Sequence, residues 1–451
     1  MSLVAVVAQT TSAHGIGGAK DLPISPELAI AGAVAALTVS FTVLAVAWRT
    51  PRFDEATSGL PSSGLTRLVD STAWRLGWRV VGFAIFAWAM FAAVAGQDLL
   101  TNPFFGMFYV WWWVGLVPLS LFLGPVWKAL SPVRTINAAF AKISGSDPEV
   151  GVFTYPERLG HWPAAVGLFA FVWLELVYPF STELGPVRLW AAAYLAVMLL
   201  GGALFGNVFY ERADPFEVYS SLVAKMSPWG RRDGQVVIRN PLANLDTVVA
   251  RPGLVAVVAV LFGSTGFDSF KDSQRWVKFV QGNDFIVSHS WADDLADNIA
   301  LLVFCAGVGL IFAIGTMATG VSSGERRISL PNKFAHSVVP IIVGYIVAHY
   351  LSYLIEVGQD TLIKASDPLS DGSNYLGTGD WSVNYWLSYH PTLLANIKVG
   401  AVVLGHVLGV ISAHDRAIKL LPQRHQLTGQ LPLLVAMVAF TVGGLYLLFA
   451  A

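Results

Sequence analysis

The sequence predicts an all-α, polytopic transmembrane helical bundle of about 10 spans with both termini outside. Three observations carry this. Of 451 residues, 55% are hydrophobic and only 13% are charged, far below the roughly 25% charged content of a soluble domain. Mean hydropathy is +0.60, and apolar stretches close to the ~20 residues a helix needs to cross a bilayer recur along the whole chain. Lys and Arg also collect on alternate connecting segments.

Windows of about 19 residues place the spans near residues 28–47, 80–96, 108–126, 164–180, 189–208, 254–267, 295–318, 338–356, 397–413 and 431–450. The sixth is the weakest, because its apolar core is short and bounded by Pro252 and Gly263; a re-entrant or tilted segment is open there. With the N-terminus outside, the inner segments hold 21 of the 28 Lys and Arg, from Arg49 and Arg52 through Arg231 and Arg232 to Arg416 and Lys419. That bias is what the positive-inside rule demands. The outer segments are acidic, with Asp268, Asp272, Asp284, Asp293, Asp294 and Asp297 around the start of span seven.

Residues 1–27 are expected to form an outer N-terminal tail or a partial signal segment, and residues 28–451 a single transmembrane helical domain. Thr11-Ser12-Ala13 resembles the small-residue pattern of a signal-peptidase site, and cleavage there would make His14 the first residue. A free α-amino group beside an imidazole chelates copper. An uncleaved tail is the plainer reading. Formal net charge is −1, so no global field argues for nucleic acid. The single cysteine, Cys305, allows no intrachain disulfide and no cysteine-based zinc site.

Function is sought where ionisable side chains enter apolar spans, since such groups face a protein interior or a wet cavity. Glu175, His349, Glu356 and His406 meet that test. His349 and Glu356 are seven residues apart, two helical turns, and share a face with Ser352 and Tyr353 nearby. Lys398 precedes His406 by eight residues on much the same face, and Gly405 and Gly409 form a small-xxx-small pair that lets a neighbouring helix approach. Spacing i, i+4, i+8 puts His289, Asp293 and Asp297 on one face if span seven is already helical there. Two histidines plus carboxylates in an outward-facing cavity suit zinc, copper or another divalent metal, with His349, His406, His14, His289, Asp293 and Asp297 as candidate ligands. Glu356 or Glu175 would then be a further ligand or the base for a metal-activated water.

Each piece has a quieter reading. An intramembrane His often bonds a helix carbonyl, Glu356 and Lys398 lie close enough to the boundary to snorkel, and Asp293 favours the helix dipole. Trp111-Trp112-Trp113 and the other tryptophans near predicted boundaries read as an aromatic belt. Gly201, Gly202 and Gly206 read as close helix packing. Ser131-Pro132 and Ser227-Pro228, each beside basic residues, hint at a weak internal echo. Walker, Rossmann, Gly-x-Ser-x-Gly and His-Glu-x-x-His patterns are absent.

Several stretches resemble a bacterial, largely actinobacterial and proteobacterial, integral membrane family commonly labelled fenitrothion hydrolase. They include Ala13-His14-Gly15-Ile16-Gly17-Gly18, Gly124-Pro125-Val126-Trp127-Lys128, Ala348-His349-Tyr350, and Gly405-His406-Val407 leading to Ala413-His414-Asp415-Arg416. The resemblance implies hydrolysis of an organophosphate triester at its aryl leaving group, and it assigns no catalytic residue. Three functions follow as expectations for a multi-pass protein of the plasma membrane. One is metal-dependent hydrolysis of a small apolar ester; a second is copper or other divalent metal transport or delivery. The third makes His349 and His406 axial ligands of a b-type haem.

Overall fold

The structure is a computed structural model that describes residues 22–54, 56–320, 324–422, 425–426 and 428–450; the expectations on His14 and its cleavage site lie outside them. Helix dominates. The elements that matter below are α1 (Pro26–Ala47), α2 (Thr72–Ala95), a π-helix (Gly106–Val114), α3 (Leu116–Leu123), α4 (Pro132–Ser144), α5 (Trp162–Leu176), α6 (Leu184–Phe205) and α7 (Pro215–Ala224). They continue with α8 (Leu254–Lys271), α9 (Ala292–Met317), α10 (Val339–Lys364), α11 (Pro391–Leu420) and α12 (Leu431–Ala450). Among the described residues, eight helices are long and apolar enough to cross a membrane, and nine if Pro103–Val114 and Leu116–Leu123, bent by 41°, count as one. The expected fourth span appears as α5, whose 15 residues rise only about 22 Å.

Helix starts follow a repeated local rule. Ser25-Pro26, Asn102-Pro103, Ser131-Pro132 and Asp214-Pro215 each put a side-chain acceptor at the N-cap and proline in the first turn. The residue before proline is held extended, proline has no N–H to leave unpaired, and the capping oxygen takes one of the free amides. Ser227-Pro228 departs from this rule, because it leads into a strand. The echo with Ser131-Pro132 is therefore one of sequence alone.

The chain divides into two compact units. Unit 1 comprises residues 1–54, 258–356 and 384–451, thus α1, most of α8, α9, α10 as far as Glu356, α11 and α12. Within it α1 packs on α11 and α12, and α9 packs on α12. Small residues set the spacing. A Cβ on Gly405 would lie 2.5 Å from the Pro340 carbonyl oxygen, and one on Gly409 would lie 2.7 Å from that of Ser337. The segment entering α10 therefore lies directly on α11. Gly263, expected to bound the weak sixth span, instead lies inside a continuous α8; its missing Cβ lets the helix rest on the backbone of Cys305.

Unit 2 comprises residues 55–257 and 357–383. Its helices are joined by a small antiparallel sheet in the order β1 (Leu60–Pro61), β3 (Gln235–Ile238), β2 (Trp229–Arg232). Leu60 and Trp229 both pair with Ile238. The β2–β3 turn is Asp233-Gly234, with φ of 50° and 77°, the left-handed pair that a two-residue hairpin requires. In α6, Gly201 and Gly202 make room for the rings of Phe209 and Tyr210 rather than for another helix backbone. The Trp111-Trp112-Trp113 run is not an interfacial belt. Trp113 is buried against Phe171 and Tyr219, and Trp112 stacks on Trp127 and lies against Phe216.

Candidate functional site

In unit 1 the last turns of α8 meet the middle of α10. Tyr345 and His349 are four residues apart and share a face of α10, while Asp268 and Ser269 are neighbours on α8. The His349 ring engages both: Nε2 is 2.8 Å from Asp268 Oδ2, and Nδ1 is 3.1 Å from Ser269 Oγ. Tyr350 donates its hydroxyl to the same Asp268 oxygen at 2.6 Å, and Tyr345 donates to Ser269 Oγ at 3.2 Å. His349 and Ser269 are buried. The result is one hydrogen-bonded line: Tyr345, Ser269, His349, Asp268, Tyr350.

The partners assign the proton positions. An ionised carboxylate only accepts, so the Nε2 facing Asp268 carries hydrogen, and in the neutral ring Nδ1 accepts the Ser269 hydroxyl. If His349 gains a second proton, Nδ1 becomes a donor to Ser269 Oγ. The Ser269 hydroxyl then has another acceptor at hand, the Thr265 carbonyl 3.3 Å away. Both protonation states are thus served by side chains already in place. Asp272 follows one turn after Asp268; desolvation, with the Asp268 charge beside it, raises its carboxyl to about 6. Lys271 pairs with Asp297 at 2.8 Å, and Trp276 donates to the same carboxylate at 3.0 Å.

The other predicted residues are placed separately. His406 is fully buried, yet its Nδ1 bonds the Val402 carbonyl of its own helix at 2.8 Å, and its Nε2 has no hydrogen-bond partner. No hydrogen bond joins it to His349. Among the described residues, no group of three or more His, Cys, Asp or Glu is arranged as a metal site. Glu356 accepts from the Ser388 hydroxyl, and both Glu356 and Lys398 are buried rather than snorkelling. Glu175 belongs to unit 2, near Tyr219. His289 lies outside α9, which begins only at Ala292; its ring bonds the Phe285 carbonyl at 2.9 Å. It therefore does not share a helical face with Asp293 and Asp297.

Unit 2 holds a buried ionic set that the hydropathy windows passed over. Arg134 of α4 grips Glu217 of α7 through Nε at 2.5 Å and a terminal nitrogen at 2.6 Å, and also reaches the Asn207 carbonyl at 3.3 Å. Asp214, the N-cap of α7, accepts from Phe216 N, Trp127 Nε1 and Tyr194 Oη. Its burial, with the Glu217 charge added, pushes the carboxyl up to about 7. A signal existed in Asp214-Pro215-Phe216-Glu217, which reads as a helix start, but nothing in it points to Arg134, 83 residues away along the chain.

The helices and their buried polar groups define a multi-pass, all-α membrane protein. Comparison of the chain with family models, with curated proteins and with solved structures finds no match.

Proposed function

We propose that this protein is a proton-linked transporter of the plasma membrane, with about ten spans and both termini outside, in which the His349–Asp268 pair takes up and releases the proton. One observation carries the reading: the line from Tyr345 to Tyr350 supplies acceptors and donors for His349 in both its neutral and its charged form. Chains of Asp, His and hydroxyl groups inside membrane segments mark proton relays. Asp272 stands beside the pair, its carboxyl raised to about 6 by desolvation and the Asp268 charge. The experiment is an infrared difference titration of the protein in liposomes between pH 5 and 8, with proton flux followed by a trapped pH dye. A titrating imidazole band and a flux that both disappear in His349→Gln and weaken in Asp268→Asn are expected. Unchanged bands and flux in His349→Gln would end the proposal.

A second reading is favoured by the order Ser269, His349, Asp268, in which an oriented imidazole faces a hydroxyl. The same pair would act as general base in hydrolysis of an apolar ester, in line with the resemblance to fenitrothion hydrolases. It expects turnover of a nitrophenyl phosphotriester that is lost in His349→Gln. Copper and zinc remain cargo or cofactor candidates only for such ligands as His349 and His406 supply, and metal analysis of purified protein tests them directly.

A further inference from the structure

Three ionisable side chains are buried where α11 crosses α10: Lys398 is 2% exposed, Glu356 3% and His349 4%. An ammonium at membrane depth persists only where an opposite charge or other acceptors meet it. Glycine contacts give the register of the two helices. A Cβ on Gly409 would lie 2.7 Å from the Ser337 oxygen, one on Gly405 would lie 2.5 Å from that of Pro340, and one on Gly344 would strike the Ala401 carbonyl. Moving up α10 from Ser337 to Gly344 thus moves back along α11 from Gly409 to Ala401, an antiparallel pairing with the helices closed against each other. The Ser388 hydroxyl on Glu356 continues the same register just before α11 begins.

Lys398 comes next on that face. It precedes Gly405 by two helical turns, and the register sets it level with Ala348, beside His349. The carboxylates of unit 1 then sort by height. Asp415 lies on the same helix but roughly 25 Å away, held by Trp48, the Arg52 amide and Lys419. Asp297 is taken by Lys271, and Glu356 lies two turns beyond His349, roughly 10 Å further along α10. Asp268 is at the right height, because His349 and Tyr350 both bond its Oδ2, and a carboxylate has a second oxygen that accepts.

We infer that the Lys398 ammonium is the counter-charge of Asp268 and the positioning residue of the proton site. It keeps the carboxylate ionised as an acceptor, so the exchangeable proton resides on His349, and its own charge repels that proton enough for release. The inference rests on the proton reading and deepens it. The other charged or titratable groups around the pair are Asp272 and Lys271 of α8, Asp297 of α9, and Tyr345, Tyr350, Tyr353 and Glu356 of α10; His406, deeper on α11, bonds Val402, and α12 carries no acidic or basic residue.

The test is the infrared difference titration of the full-length protein in liposomes, extended to pH 10, on wild type and on Lys398→Met, which keeps the stem and removes the charge. At an effective dielectric near 20, a cation about 6–8 Å from the imidazole opposes its proton roughly 30- to 100-fold, so the imidazole midpoint of Lys398→Met is expected about 1.5–2 pH units above wild type. Lys398→Arg restores the charge and should bring the midpoint back to within about half a unit, a rescue that packing alone does not supply. If Lys398→Met does not fold, stability reports the pairing: adding Asp268→Asn should recover monodisperse protein, because it removes the stranded charge, and adding Glu356→Gln should not. An unshifted midpoint in Lys398→Met, no rescue by arginine, or recovery by Glu356→Gln alone would overturn the assignment of Lys398. A wild-type band unchanged by His349→Gln is a distinct result, which overturns the proton reading and with it the role given to Lys398.

Discussion

The Arg134–Glu217 pair permits a sharp test of how unit 2 is held together. Glu217 keeps only 1% of its side chain exposed and Arg134 only 7%, and the pair is joined by two charge-assisted bonds of 2.5 and 2.6 Å. Glu217→Gln preserves shape but leaves the guanidinium buried without its bidentate partner, with the half-exposed Glu211 at 4.0 Å and the Asp214 carboxyl acting only through space. Stranding a buried charge costs about 3–5 kcal/mol. For a unit of this size each kcal/mol moves a midpoint by roughly 2–4 °C, so a fall of about 6–20 °C is expected. Replacing both partners, Arg134→Met with Glu217→Leu, removes the charges at similar volume and should recover most of the loss, since a buried ion pair is worth little against a packed apolar pair. The assay is the temperature at which the protein leaves its monodisperse peak in size-exclusion chromatography. A Glu217→Gln shift under about 3 °C, or a double variant as unstable as the two single losses added together, would refute the reasoning.

Three further outcomes follow from particular contacts. Gly405→Ala drives a Cβ to within 2.5 Å of the Pro340 oxygen, whereas Gly400 on the same helix has nothing within 4 Å; the first should cost about 1–3 kcal/mol and the second should be neutral or stabilising, read by the temperature at which a thiol-reactive dye labels buried Cys305. Equal midpoints for the two variants would contradict the close packing of α11. His161 is held at about 4, chiefly by burial, below its unfolded value near 6.5. The unfolded chain therefore binds the extra proton between those values, and stability is fully present above about pH 6.5 and is lost as pH falls toward 4. His161→Asn should flatten the midpoint between pH 7 and 4.5; an unchanged slope would remove the assignment. Gly234→Ala, at a φ of 77°, should cost about 1 kcal/mol or more, visible as faster proteolysis at the β2–β3 turn, and wild-type resistance would count against that hairpin.

Hydropathy located nearly every long helix because a bilayer-crossing segment must be apolar over its whole length, whatever it packs against. Ends and irregularities were less legible. Gly263 looked like a break and is a contact, since whether a glycine ends a helix or seats a neighbour depends on Cys305 of α9 lying there. Trp111-Trp112-Trp113 looked like an anchor because indoles are favoured at the interface and in an aromatic core alike, and the sequence carries no mark of the π-helix that turns them inward.

The candidate site shows the same division more sharply. His349 was identifiable on its own, as an ionisable group in an apolar helix. Its partners were not. Asp268 was read as one of an acidic outer group, and Ser269 and Tyr345 drew no notice, because hydroxyl side chains are common in membrane helices. What joins them is the crossing of α8 and α10, a relation between residues about 80 apart along the chain. Pairing His349 with His406 rested on their depth in two spans and on the close approach that Gly405 and Gly409 allow; that approach is present, while His406 Nδ1 bonds Val402 of its own helix. An ionisable residue in a span therefore announces that something must meet it, while the identity of the partner is fixed by packing, which here sets the Asp268 carboxylate on one ring nitrogen of His349 and the Ser269 hydroxyl on the other.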